Sequence, residues 1–430
     1  MQKKKTVAFY TLGCKLNFAE TSTIARIFQS YDFQTVTFED VADVYVINSC
    51  SVTSMADKKS RNAISRAKAK NANAIIIVTG CYAQLNKEIV EKLGVDYVIG
   101  TQKNNKFSVI IEEILENNKL QENTDINVST DFFPAYSKGD RTRSFLKIQD
   151  GCNYFCSFCT IPFARGRCRS ASITDVVSQV KQIAESGIKE IVLTGVNLGE
   201  FGKGTEQNLF SLLKEITKID AIERFRIGSV EPNLLTDEII DLVAENQKLM
   251  PHFHIPLQSG CDEMLKLMNR HYDSAFFAKK IDKIKRKIPD AFIGIDLIVG
   301  VNGETEEYFN KTIEFVNNLN ITFVHEFQYS ERPNTKALNF SPKISQQEKQ
   351  RRAKQIIEIS NKKFRTFYSE NIGTTRKVLF EAAKKDNKIY GFTENYIKVS
   401  TKYDEHLVNQ IVSVELTDFA ENGRELSIIN

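Results

Sequence analysis

The sequence predicts an α/β protein built in three parts: a doubly wound parallel sheet, a partial six-unit TIM-like barrel, and a small OB-like β-barrel. Three observations carry this. Short apolar runs alternate with helical patterns over residues 1–118 and again, six times, over 144–330. Such alternation marks parallel strands covered by helices. Residues 369–430 change to short alternating β runs, and 430 residues suit about three domains at roughly 150 each.

In the first part, Val7–Leu12, Val44–Asn48, Ala74–Thr79 and Tyr97–Ile99 read as strands, and Phe18–Tyr31, Met55–Lys70, Lys87–Leu93 and Asn105–Asn117 as helices. Residues 119–143 are polar, with Pro134 and Gly139, and read as a linker. The middle strands are Phe145–Gln149, Glu190–Thr194, Phe225–Val230, Phe253–Leu257, Phe292–Val299 and Phe323–Tyr329. Six units fall short of the eight that close a TIM barrel. Ser345–Tyr368 reads as a basic helix. Lys377–Glu381, Lys388–Phe392, Tyr396–Ser400, Gln410–Leu416 and Leu426–Ile429 then supply five short strands, the number of an OB-size barrel. The expected domains are therefore 1–118, 144–368 and 369–430, joined by the linker.

Hydrophobic residues make up 42% and charged residues 26%, which excludes disordered and collagen-like classes. Eight cysteines are too sparse for a disulfide scaffold. The longest purely aliphatic run, Ala74–Val78, is too short for a transmembrane helix. Met1–Lys5 followed by Thr6–Gly13 imitates a signal peptide, but the apolar stretch reads better as the first strand. A cytoplasmic chain with reduced cysteines is expected.

Six of the cysteines form two sets of three. Cys14, Cys50 and Cys81 each end an apolar run: VAFYTLGC, VYVINSC and IIIVTGC. The carboxyl ends of parallel strands share one edge, where ligands bind, so these thiols are expected to converge. Burial of ordinary free cysteines is the plainer alternative. The second set, Cys152, Cys156 and Cys159, stands in GCNYFCSFCTIP with C-x3-C-x2-C spacing, directly after the first barrel strand. Thiolates bind zinc or iron–sulfur clusters. No Cys or His follows at finger spacing to complete a structural zinc site, and three thiolates on a four-iron cluster leave one iron open.

This loop, on a six-unit barrel, resembles that of the radical S-adenosylmethionine (SAM) superfamily, and Phe158 before the last cysteine fits as well. The resemblance implies a [4Fe-4S] cluster whose open iron holds the amino and carboxyl groups of SAM, from which a 5′-deoxyadenosyl radical is released. It also implies SAM contacts for Asn197, Glu231, Gln258, Arg270, Asp296 and Gly300. Asp296 is the hardest to explain otherwise, because it interrupts the apolar strand FIGIDLIVG and an unpaired buried carboxylate is costly.

Three parts in this order, with TLGCKLN, NSCSVT and TGCYAQ, resemble the methylthiotransferase family over nearly the whole chain. In that family the amino-terminal cysteines hold a second, auxiliary [4Fe-4S] cluster, which implies Cys14, Cys50 and Cys81 as its ligands. Two SAM molecules are implied, one a methyl donor and one a radical source, with an electron donor such as flavodoxin or ferredoxin and no membrane. KIQDGCNYFCSFCTIPFARGR, LTGVNLGEFG, SVEPN and GFTENYIKV look most like the branch that modifies carbon 2 of N6-threonylcarbamoyladenosine 37 in tRNA. Branches acting on N6-isopentenyladenosine or on an aspartate of ribosomal protein S12 share the clusters but differ in these flanks. A non-catalytic RNA-binding iron–sulfur or zinc protein is the reading from another class. The chain departs from the family pattern at Val301-Asn302, Gly228, Cys168 and Cys261.

The net charge of +4 decides little, but local segments are more basic. Residues 345–368 carry seven Lys/Arg against two Glu, and 376–402 seven Lys/Arg against three Asp/Glu, with Phe380, Tyr390, Phe392 and Tyr396 interleaved. A basic aromatic barrel face suits phosphate contact and base stacking, and it resembles the TRAM domain. Solvated faces are the plainer reading. The expected RNA contacts are Arg165, Arg167, Arg169, Arg376, Lys377, Lys388, Tyr390 and Lys398. The three arginines near the cluster loop are matched either to anticodon-stem phosphates or to the threonylcarbamoyl carboxylate.

Overall fold

The computed structural model describes residues 4–101, 104–116, 132–139 and 142–429. In the first part, strands β1 (Thr6–Thr11), β2 (Gln34–Val36), β3 (Val44–Ser49), β4 (Ile75–Gly80) and β5 (Tyr97–Val98) form one sheet. All pair in parallel, in the order β2-β1-β3-β4-β5. Every residue of β3 is buried, as a central strand covered on both faces must be. Helix Lys15–Ser30 seals one face through Ile24 and Phe28, together with Phe107, Ile110 and Ile111. Helix Ser54–Lys70 seals the other through Ala63, Ile64 and Ala67.

The linker expectation is only partly met. Residues 117–131 and 140–141 lie outside the described residues. Residues 135–136 instead form β6 (Ala135–Tyr136), antiparallel to β7 (Arg143–Lys147), with Phe133 and Ala135 buried. Apolar side chains in a polar stretch gave this edge strand a face to bury.

The middle part continues with β8 (Gln149–Asp150) and β9 (Arg169–Ser170), which pair with each other. Strands β10 (Glu190–Thr194) and β11 (Arg224–Ile227) extend β7 in parallel. Strands β12 (His252–His254), β13 (Phe292–Val299) and β14 (Phe323–Gln328) form a second parallel group. The bridge Ser229↔His254 joins the two groups into an open barrel wall. Leu146, Ile191, Leu193, Phe225, Ile293 and Ile295 point outward into the main core under the helices. The alternate positions point inward and are largely polar: Arg143, Lys147, Glu190, Arg226, His252, His254, Asp296 and His325. Helix Lys15–Ser30 crosses from the first part and packs Phe18 and Ala19 against Phe133, Ala135, Phe145 and Val192, filling the side the missing strands leave open.

Helix Gln346–Glu370 leads to a closed barrel of β15 (Thr375–Lys385), β16 (Lys388–Thr393), β17 (Lys398–Lys402), β18 (Ile411–Phe419) and β19 (Leu426–Ile429). Closure removes exposed sheet edges. Two sequence expectations change here. Phe380 lies in the barrel core with Val378, Ile389 and Val399, not on a nucleic-acid face. The third strand starts at Lys398 rather than Tyr396, because Tyr396 takes φ +70° in a turn and Thr393 Oγ1 accepts from the Ile397 amide at 2.8 Å.

That turn docks the small barrel onto the amino ends of β7, β10 and β11. Arg143 lies 4.6 Å over the Phe392 ring and Arg226 4.7 Å over Tyr396. Arg226 also donates to the Thr393 and Glu394 carbonyls and, at 2.8 Å, to Glu190. Burial alone would raise the Glu190 carboxyl, but Arg226, Arg143 and Arg224 hold it below its usual range. A depressed carboxyl stabilises above the unfolded value, about 4.3, and the contribution is lost as pH falls through the folded value. Glu190→Gln is therefore expected to destabilise the protein by about 1.5–3 kcal/mol at pH 7, because it removes the carboxylate next to Arg226, Arg143 and Arg224, which keep Glu381 and backbone carbonyls as partners. Thermal unfolding would check this, with the gap to wild type narrowing below about pH 4.

Candidate active site

The three amino-terminal thiols follow β1, β3 and β4, adjacent strands of one sheet, and so share its carboxyl edge. The strand order reverses between β1 and β3, the position where such sheets bind ligands. Backbone crowding there explains the preceding glycines. Gly13 has φ +97°, and a Cβ on it would stand 3.0 Å from Cys50 Sγ. Gly80 has φ +93°, and its Cβ would stand 2.3 Å from the Ser49 carbonyl. Asn17 ties the loops by donating to the carbonyls of Leu12 at 2.7 Å and Ser49 at 3.2 Å. Cys14 is exposed, while Cys50 and Cys81 are buried. Burial pushes the Cys50 thiol up and the Cys81 thiol up to about 12; Cys14 raises both further, and Cys50 raises Cys81. Arg165 opposes both shifts. The three sulfurs therefore share one electrostatic neighbourhood.

The second set lies on the loop after β8. Its backbone curls around the sulfurs, with the Ile161 amide 3.4 Å from Cys159 Sγ and the Tyr154 amide 3.5 Å from Cys152 Sγ. Arg270 donates to Cys156 Sγ at 3.0 Å and forms a close ion pair with Glu231. Burial pushes the Glu231 carboxyl up to about 7 against the pull of Arg270, with Asp296 and Glu200 adding to the rise. Glu231, Arg270, Asp296 and Cys156 thus occupy one neighbourhood, and Asp296 accepts or shares a proton with His254 at 2.8 Å.

Of the remaining expected SAM contacts, Asn197 has both amide atoms buried with no described protein partner, and so does Gln258 Oε1. Orphaned buried amides are what a polar ligand would satisfy. Gly300 has different surroundings. Its amide donates to Glu304 at 2.6 Å, and a Cβ would strike Lys349 at 2.4 Å. Among the described residues, no three His, Cys, Asp or Glu side chains are placed to grip a single metal ion. A four-iron cluster takes each thiolate on a different iron, so wider spacing suits it.

A buried ionic network joins the two thiol sets. Arg165, 1% exposed, donates to Glu20 at 3.1 Å, Asp150 at 3.1 Å and Asn17 at 2.7 Å. Lys147 pairs with Glu20 at 2.8 Å and Asp150 at 2.7 Å, and Arg169 pairs with Asp150 at 2.9 Å. Burial would raise the Asp150 carboxyl, but its three cations hold it far below the usual range. A second clasp binds the Cys50 loop: Arg332 donates to Ser51 at 2.8 Å and Asp57 at 2.7 Å.

The expected RNA contacts are therefore redistributed. Arg165 is enclosed by carboxylates and does not reach a phosphate, and Arg169 is committed to Asp150. Arg167 is exposed and stacks 4.7 Å from Phe155. Arg376 is paired with Asp290 at 2.5 Å, at the seam between barrels. Lys398 pairs with Glu425 at 2.9 Å and lies 4.3 Å over Tyr390. Lys377 is exposed and Lys388 half-buried. Sequence reasoning missed Glu20, Lys147 and Asp150, although charges inside FLKIQD were a signal.

The unusual positions are absorbed structurally. A side chain at 228 would meet the Leu193 carbonyl at 2.6 Å, so glycine fits. Asn302 donates to Glu331 and to the Ala337 carbonyl, and Val301 packs in a small core. Cys168 contacts the Glu200 carbonyl and Cys261 contacts Glu263.

Comparison with known proteins supports the same reading. Residues 6–100 match the Uncharacterized protein family UPF0004, and residues 146–316 match the Radical SAM superfamily. The chain is 38% identical to the threonylcarbamoyladenosine tRNA methylthiotransferase MtaB of Bacillus subtilis, covering 96% of this chain and 93% of the relative. It belongs to the radical SAM methylthiotransferases. The Aquifex aeolicus MtaB is 40% identical, over 91% of this methylthiotransferase and 96% of the relative. A tRNA-2-methylthio-N(6)-dimethylallyladenosine synthase of Clostridium tetani is 32% identical, over 99% and 97%. The radical SAM methyltransferase TsrM of Kitasatospora setae shares the fold at 14% identity, with a TM-score of 0.58 over 78% of this chain and 77% of that one.

Arg165→Ala is expected to cost about 1.5–3 kcal/mol, because Glu20, Asp150 and Asn17 each lose a buried charged donor while Lys147 and Arg169 remain. Thermal unfolding of the cluster-free methylthiotransferase measures this without reference to activity.

Proposed function

We propose that this enzyme adds a methylthio group to C2 of N6-threonylcarbamoyladenosine at position 37 of tRNA. The observation that carries the reading is the buried ionic network that links the helix after Cys14 to the strand before Cys152, beside two three-thiol sets. The higher identity to MtaB relatives than to the dimethylallyladenosine synthase favours the threonylcarbamoyl substrate.

Cys152, Cys156 and Cys159 would hold the SAM-binding [4Fe-4S] cluster, and Cys14, Cys50 and Cys81 the auxiliary one. With two SAM molecules bound, these groups would supply a radical and a methylated sulfur. The chain's own part is placement. Asn197, Glu231, Gln258 and Asp296 offer hydrogen-bond partners to the amino and hydroxyl groups of SAM, and Arg270 offers a cation to its carboxylate. Gly300 serves better as a packing position against Lys349. The apolar side chains of Phe18, Ala19 and Phe145 pack the seam between the first sheet and the barrel. The target base must leave its stack to enter. Exposed Arg167, with Phe155 and Phe163 beside the cluster loop, suits contact with the surrounding anticodon loop. The reductant would be a flavodoxin or ferredoxin, and the setting the cytoplasm.

The substrate is tested by the tRNA nucleoside profile of a deletion strain. Loss of 2-methylthio-N6-threonylcarbamoyladenosine is expected; a loss confined to the 2-methylthio isopentenyl nucleoside would favour the second branch. The clusters are tested by iron analysis after anaerobic reconstitution. Wild type is expected to hold about eight irons and Cys50→Ala about four.

A further inference from the structure

Beneath the thiol sets, the inner face of the barrel ends in a cavity of about 150 Å³. It is lined by Lys15, Arg143, Phe145, Val192, Arg226, His252 and Tyr396. Three of these are cations, and none is a carboxylate. Arg226 is fully engaged with Glu190 and two carbonyls, and Arg143 is paired with Glu381 at 2.7 Å. Lys15 differs: among the described residues, no carboxylate or carbonyl lies within hydrogen-bond reach of its ammonium. It follows Cys14 directly in sequence, so the cavity begins one residue from an expected auxiliary-cluster ligand.

We propose that this cavity receives the carboxylate of the substrate's threonylcarbamoyl group, with Lys15 as its ion-pair partner and Tyr396 and Arg143 beside it. This rests on the threonylcarbamoyl reading above. Charge and shape both favour this occupant. Lys15 is exposed, and Glu190 and Glu381 already balance Arg226 and Arg143, so its ammonium is the cation left for an entering anion, and such a charge-assisted pair is strong. The same surroundings act on the phenol of Tyr396: burial would raise it, yet Lys15, Arg143 and Arg226 together pull it below its usual range. A backbone phosphate is tethered on both sides and stays at the surface, whereas a terminal carboxylate on a flexible arm can enter a small chamber. A dimethylallyl arm would gain nothing among these cations and would leave Lys15 unpaired. The arginines expected from sequence to meet this carboxylate are not the ones available, because Glu20 and Asp150 already neutralise Arg165.

The test uses reconstituted enzyme and three anticodon stem-loops, carrying at the target adenosine the threonylcarbamoyl group, its methyl ester, or dimethylallyl. Dissociation constants are measured by fluorescence anisotropy for wild type, Lys15→Gln, Lys15→Arg and Tyr396→Phe, each checked for iron content and thermal unfolding. Wild type is expected to prefer the free carboxylate over the ester by about tenfold or more. The preference should fall to within about twofold in Lys15→Gln and persist in Lys15→Arg. If Lys15→Gln loses iron, Tyr396→Phe decides, with a severalfold smaller preference expected. A preference unchanged in the deciding variant overturns the cavity's role while the substrate reading stands. If wild type shows no preference and methylthiolates only the dimethylallyl stem-loop, the substrate reading fails and takes the cavity proposal with it.

Discussion

The geometry of this enzyme depends on one buried cluster of charges. Glu20 and Asp150 bring two carboxylates, and Lys147, Arg165 and Arg169 bring three cations, into an interior from which water is excluded. Such a cluster adds little net stability over an apolar packing of the same volume, because desolvation offsets most of the attraction. Its value is directional. Glu20 lies on the helix that starts after Cys14, and Asp150 lies two residues before Cys152. These pairs tie the helix after Cys14 to the strand before Cys152, and so fix how the first part docks on the barrel.

The second constraint is the incomplete barrel. A full eight-strand barrel fills its interior with branched apolar side chains. Here the inner face carries arginine, glutamate and histidine, and its open flank is closed by a helix from another domain. The small C-terminal barrel closes the floor through Phe392 and Tyr396. Each domain therefore supplies a wall that the others lack, and the space they enclose belongs to none of them alone.

The parts legible in sequence were those with strong local signals. Short apolar runs located the central strands, and Phe292–Val299 and Glu190–Thr194 match to the residue. The thiol sets were legible from strand ends and spacing. What was not legible depended on long-range pairing. Arg165 stands in a basic run, FARGRCR, and reads as a surface residue until Glu20, 145 positions earlier, is seen to enclose it. Phe380 and Tyr396 alternate with lysines in a pattern that does not say which side of a closed barrel faces its core. Charge and periodicity fix which residues want partners; only the docking of domains fixes which partners they find.

The helix that fills the barrel's open flank also sets an order of events during synthesis. Its residues emerge from the ribosome early, with the first sheet, which has its own core and can close around Val46 and Ile77. Phe18, Ala19 and Glu20 on the opposite stripe must wait for Phe133, Phe145 and Lys147. At about 5–20 residues per second, that wait is on the order of ten seconds. Until then Phe18 and Ala19 lack the barrel side chains that cover them in the folded protein, and Glu20 lacks Lys147.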